Sequence, residues 1–93
     1  MQHKFLIHSP EDTVGVAVAE IREGEGAKGV ALEEDNEIVL SAQDDIPLGH
    51  KIAIVSLEEG DAVIKYGVSI GKATKRITQG EHVHTHNLKS ARW

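Results

Sequence analysis

Apolar residues at spacing two constrain this chain most. Phe5 and Ile7 alternate, as do Val14, Val16 and Val18, Ile38 and Leu40, and Ile52 and Ile54. Side chains of an extended strand point to opposite faces in turn, so this pattern gives one packed face and one wet face. β-branched residues dominate it, which favours strand over helix. Turn residues separate the runs: Ser9-Pro10-Glu11-Asp12, Gly24-Glu25-Gly26, Glu34-Asp35-Asn36, and Asp44-Asp45 before Ile46-Pro47. Short strands at close spacing predict a mostly β domain with at most one short helix. The segment from Pro10 to Glu23 has a proline and two acids at its start, as a helix would. Gly15 and the spacing of the valines favour a strand over Val14 to Ile21 instead.

One spacing recurs. An apolar residue, two residues, Gly, two residues and a second apolar residue appear in Ile46 to Ile52, Leu57 to Val63 and Ile77 to Val83. In each copy the glycine suits a tight turn that feeds a strand, because positive φ costs it nothing. No linker divides the chain, and 93 residues make one domain, 1–93. The residues from Leu88 to Trp93 lack periodicity and are expected as an extended tail. A terminal Trp93 is expected to dock on this domain or on another chain, since burying such a ring is worth about 2–3 kcal/mol.

Composition narrows the function. A net charge of −5 argues against nucleic acid, which demands a basic face. The only local basic excess is Lys89 and Arg92, with no aromatic cluster for base stacking. No cysteine is present, which excludes thiol catalysis and iron–sulfur ligation within this sequence. No apolar run approaches the ~20 residues of a membrane span. A cytoplasmic protein is therefore expected. No nucleophilic-serine motif, P-loop or dinucleotide fingerprint occurs. A complete enzyme is not expected from so short a chain, because a concave site needs walls.

Candidate chemistry concentrates in Gly80-Glu81-His82-Val83-His84-Thr85-His86-Asn87. On an extended strand the three histidines would share one face, roughly 7 Å apart, with Val83 and Thr85 on the other. Such a face can chelate a transition metal, bind a carboxylate or move protons. A solvated edge strand or a subunit contact would produce the same pattern. His50, after Gly49, could reach a site or sit exposed in its turn. Lys65 could hold a carboxylate or lie along the surface with its charge in water.

Further residues carry a family resemblance. Val63-Ile64-Lys65-Tyr66-Gly67-Val68-Ser69-Ile70-Gly71, followed by Gly80-Glu81-His82-Val83-His84-Thr85-His86-Asn87, resembles the N-terminal domain of the altronate and galactarate dehydratases. Asp45-Ile46-Pro47 and Gly49-His50-Lys51 extend the likeness, and Phe5 to His8 and Val14 to Val18 carry it to the N-terminus. The resemblance implies an SAF-like β-clip domain, the small part of a lyase that works with a large catalytic subunit. It implies β-elimination from a 2-hydroxy acid: a sugar acid or, in a related branch, sulfolactate, which is split by an enzyme with a stand-alone α subunit. It implies a divalent metal, Fe²⁺ or Mn²⁺, held mainly by the large subunit. His84 and His86 would then be catalytic, with possible metal contributions, and His82, Asn87, His50 and Lys65 would bind substrate. A non-catalytic carbohydrate-binding or adaptor module is the competing reading. Self-association would also suit a small β domain with open edges.

Overall fold

The computed structural model describes residues 3–90, all of its regular elements being strands. In chain order these are β1 (Phe5–Ile7), β2 (Val14–Ala17), β3 (Gly26–Ala31), β4 (Asn36–Ser41), β5 (Lys51–Ala53), β6 (Ala62–Lys65), β7 (Val68–Ala73), β8 (His82–Val83) and β9 (Leu88–Ser90). They form a six-stranded sheet in the order β4-β3-β1-β2-β5-β8 and a three-stranded sheet β6-β7-β9. The β1–β3 pair is parallel and the other pairs are antiparallel.

Two apolar clusters hold this arrangement, and β5 serves both. Ile52 packs with Phe5, Ile7, Ile21, Leu40 and Ile46. Its neighbour Ala53 points the other way, among Val14, Leu57, Val63, Ile77 and Val83. A strand covered on both faces reads as continuous apolar sequence rather than as alternation. That explains why Ile52-Ala53 is buried without a polar partner between them.

The recurring glycine motif is structural, and it has a fourth copy. Ile21-Arg22-Glu23-Gly24-Glu25-Gly26-Ala27 repeats the spacing, with the small Ala27 as its second apolar position. Gly24, Gly49, Gly60 and Gly80 all have φ between 86° and 92°, as the third residue of a type II turn requires. In each copy the fourth turn residue donates its amide to the first residue's carbonyl: Glu25 to Arg22, His50 to Pro47, Asp61 to Glu58 and Glu81 to Thr78. The opening apolar residues bridge in pairs, Ile21 with Ile46 and Leu57 with Ile77.

This motif corrects the strand expected over Val14 to Ile21. The strand stops at Ala17, Val18 is 43% exposed, and Ile21 opens the first turn against Ile46. The first residues of the expected tail are extended and paired. Leu88–Ser90 is β9, paired with β7, and Leu88 packs on the second cluster. Gly71 permits the pairing, since a Cβ there would lie 2.1 Å from the Lys89 carbonyl oxygen. Trp93 and Arg92 fall outside the described residues.

The second sheet is tied to the first by Asp12. Tyr66 and Gly67 turn the β6–β7 hairpin with φ of 56° and 73°. Their amides donate to the buried Asp12 carboxylate at 3.0 and 2.8 Å, and the Ser9 amide donates at 3.2 Å. Burial alone would raise the Asp12 pKa, but these backbone donors outweigh it and hold the carboxyl below its ordinary value.

Candidate functional site: a four-imidazole cluster

The histidine block is not one strand. β8 contains only His82 and Val83, and residues 84–87 form a turn. Asn87 makes that turn. Its Oδ1 accepts from the His84 amide at 2.9 Å, while its Nδ2 donates to the His82 carbonyl at 2.8 Å. The side chain is 3% exposed and both of its functions are satisfied within the turn. A local side-chain bond of this kind competes successfully with strand hydrogen bonding. Asn87 therefore positions the histidines through one bond to the backbone of each of His82 and His84.

The turn nevertheless gathers the rings that a regular strand would have spread. His82 and His84 stack with centroids 5.5 Å apart and 11° between planes. His82 and His86 lie 5.3 Å apart. His50 completes the group from the second glycine turn, 4.5 Å from His84 and 5.0 Å from His82. Its Nδ1 is 2.9 Å from His82 Nε2, so one of these nitrogens donates and the other accepts.

Two differences within the repeat accompany His50. In the other three copies an acid occupies this position and accepts the amide of the first turn residue. Glu25 accepts from Arg22, Asp61 from Glu58, and Glu81 from Thr78. In the second copy the first residue is Pro47, which has no N–H to be capped. The acid has no task there, and an imidazole takes its place facing β8. The sequence carries this signal, but it is visible only once the four turns are superposed.

The surroundings of His82 disfavour its charged form. Burial lowers the His82 pKa first; His50, His86 and His84 lower it further by repulsion; Asp44 opposes them. Asp44 is also bonded to this residue, its Oδ2 accepting the His82 amide at 3.0 Å. A neutral imidazole with a free lone pair can accept a proton or ligate a metal. One ligand nitrogen from each of His50, His82 and His84 can be chosen so that all three lie within 4.8 Å of one another. His84 and His86 are exposed, while His50 and His82 are half-buried, so the cluster opens outward from a fixed base.

Lys65 comes from a different element than these four rings. It lies on β6, in the other sheet, with Nζ 4.6 Å from the centre of the Tyr66 ring. Lys51, which the sequence reading did not single out as a site residue, is half-buried beside Val83 in the β5–β8 pair. Burial, and then the charge of Lys65, lower its pKa.

The imidazole cluster lies at the β8 edge of the six-stranded sheet, with two of its four rings exposed. The sequence profile of the altronate/galactarate dehydratase SAF domain matches residues 3–91. The (2R)-sulfolactate sulfo-lyase subunit alpha of Chromohalobacter salexigens is 44% identical, with all of both chains aligned. The corresponding subunit of Paracoccus pantotrophus is 47% identical over 69% of this chain and 96% of its own. The altronate dehydratase of Bacillus subtilis is 43% identical over 97% of this chain, which spans only 17% of that protein. The chain belongs to the SAF-domain family of the altronate/galactarate dehydratases, a family of lyases.

Proposed function

We propose that this chain is the small subunit of a two-chain lyase that performs β-elimination on a 2-hydroxy carboxylate, with (2R)-sulfolactate as substrate. The observation that carries the reading is the open cluster of His50, His82, His84 and His86 in a chain of this family. End-to-end alignment with a sulfo-lyase α subunit supports the choice of substrate.

The chemistry needs a base for the proton at C2, which the neighbouring carboxylate acidifies. The C2–H electrons form the C2–C3 double bond as the C3–sulfur bond breaks. Sulfite leaves with that bonding pair, and the enol product tautomerises to pyruvate. His84 and His86 are exposed and can exchange protons with a substrate held on a partner. His50 and His82 are more deeply set and suit the substrate carboxylate. Asn87 acts through them by fixing the turn. A divalent ion, which the family resemblance implies, has a fitting donor set in these imidazoles and would supply Lewis-acid stabilisation of the carboxylate. The large subunit supplies the remaining walls of the site, so the isolated small chain is inactive.

Dehydration of a sugar acid is the second reading, favoured by the dehydratase profile that matches residues 3–91. It breaks a C3–oxygen bond instead and requires an acid for the departing hydroxyl, a role open to a protonated imidazole. Reconstitution with the large subunit decides between them. Sulfite release from (2R)-sulfolactate is expected, and 2-oxo acid formation from altronate or galactarate alone would select the second reading. If the large subunit turns over each of these substrates equally well without this chain, both readings fail.

A further inference from the structure

We infer that this chain itself carries a divalent transition-metal site made by His50, His82 and His84, with coordination positions left open towards solvent. The site would belong to the small chain, whereas the family resemblance assigns the ion mainly to the large subunit.

Three observations support it. The first is spacing: one nitrogen from each ring lies within 4.8 Å of the other two, and His50 Nδ1 to His82 Nε2 is 2.9 Å. Imidazole nitrogens about 2.0–2.1 Å from a metal and at right angles around it lie about 3 Å apart. That pair already stands at the separation of two cis ligands, and His84 has only to close on them. His84 is exposed and stacked on His50 rather than wedged in the core, so its ring can tilt inward without repacking.

The second observation is support behind the ligands. Asn87 clamps the backbone between His82 and His84 from both ends. Asp44 holds the His82 amide, and the Pro47–Gly49 turn presents His50. Ligands fixed by bonds of this kind lose little entropy on binding an ion. The third is donor chemistry. Three imidazole nitrogens suit zinc, cobalt, nickel or ferrous ion over magnesium or calcium, which take oxygen. Three protein ligands leave positions for a carboxylate and an adjacent hydroxyl of a 2-hydroxy acid. With an ion seated, His84 becomes a ligand and proton handling passes to His86, the fourth ring beside His82.

The test needs neither partner nor substrate, so its result is separate from the lyase reading. The chain is stripped with chelator and titrated with Co²⁺ and Zn²⁺. Binding is followed by calorimetry, by the visible d–d bands of Co²⁺ and by metal analysis after dialysis. One ion per chain is expected. His50→Ala and His84→Ala should each weaken affinity at least 10-fold with unchanged circular dichroism, and His86→Gln should stay within about threefold of wild type. Mg²⁺ in excess should not displace the ion. Failure to bind Co²⁺ or Zn²⁺ stoichiometrically would overturn the inference. So would undiminished binding in the His50→Ala/His84→Ala double variant, which would place the ion elsewhere.

Discussion

Asn87→Ala tests how the imidazole cluster is built. Asn87 is buried and makes two bonds with opposite roles, accepting from His84 N and donating to His82 O. Alanine removes both. Each such bond contributes about 0.5–1.5 kcal/mol net, and a partner left buried and unpaired costs more. The His84 amide sits at an exposed residue where water can replace part of the loss, so the expected destabilisation is about 2 kcal/mol. For a domain of this size that corresponds to roughly 8–16 °C in Tm. Urea denaturation followed by circular dichroism gives the free energy directly. Asn87→Asp keeps the acceptor, loses the donor and should fall between alanine and wild type. In the assembled enzyme Asn87→Ala should reduce turnover, because His84 loses its fixed position. A substrate-binding asparagine predicts the reverse pattern: stability within about 0.5 kcal/mol of wild type and a raised KM alone. That result would refute the positioning role.

Three further perturbations separate core, backbone and charge. Val83→Ala, at a fully buried position between the histidines, should destabilise the domain by about 2 kcal/mol in urea while leaving turnover of the folded enzyme nearly unchanged. Gly80→Ala should cost more than Gly49→Ala by calorimetric Tm. Both glycines have positive φ, but only at Gly80 would a Cβ meet backbone, 2.1 Å from the Ser41 oxygen, whereas the space around Gly49 is open. Asp12 should contribute an acid limb to the stability curve. Its folded pKa lies below the unfolded value near 3.8, so its contribution is complete above that pH and is lost as pH falls through the folded value. Asp12→Asn should be less stable at neutral pH and should lack that share of the acid loss in urea titrations at pH 2 to 6.

Most of the fold was legible because its strands follow simple rules. Phe5 and Ile7 alternate and are buried, and the glycine turns stand where positive φ was required. The first copy of the turn motif was harder to see, because Ala27 is a weak apolar signal and Val14 to Val18 suggested a longer strand. Spacing two in His82, His84 and His86 picked out rings that do lie together, though on a mistaken geometry. The chain turns after Val83 because the Asn87 side chain offers the backbone better bonds than an edge strand would. His50 was a candidate by position alone. Its meeting with His82 depends on pairing between β5 and β8, 32 residues apart in sequence, which no local pattern reveals. Lys65 stands out in the sequence as a charge between apolar stretches, and its strand lies in the other sheet from His82.

The central claim is that this small chain supplies imidazoles to a lyase reaction. It is tested most directly by sulfite release from (2R)-sulfolactate in the reconstituted two-chain complex, comparing wild type with the His84→Ala/His86→Ala double variant. The double variant should assemble normally, since both side chains are exposed, and its turnover should fall by about 10²-fold or more. Wild-type turnover in a complex that contains the double variant would contradict the account.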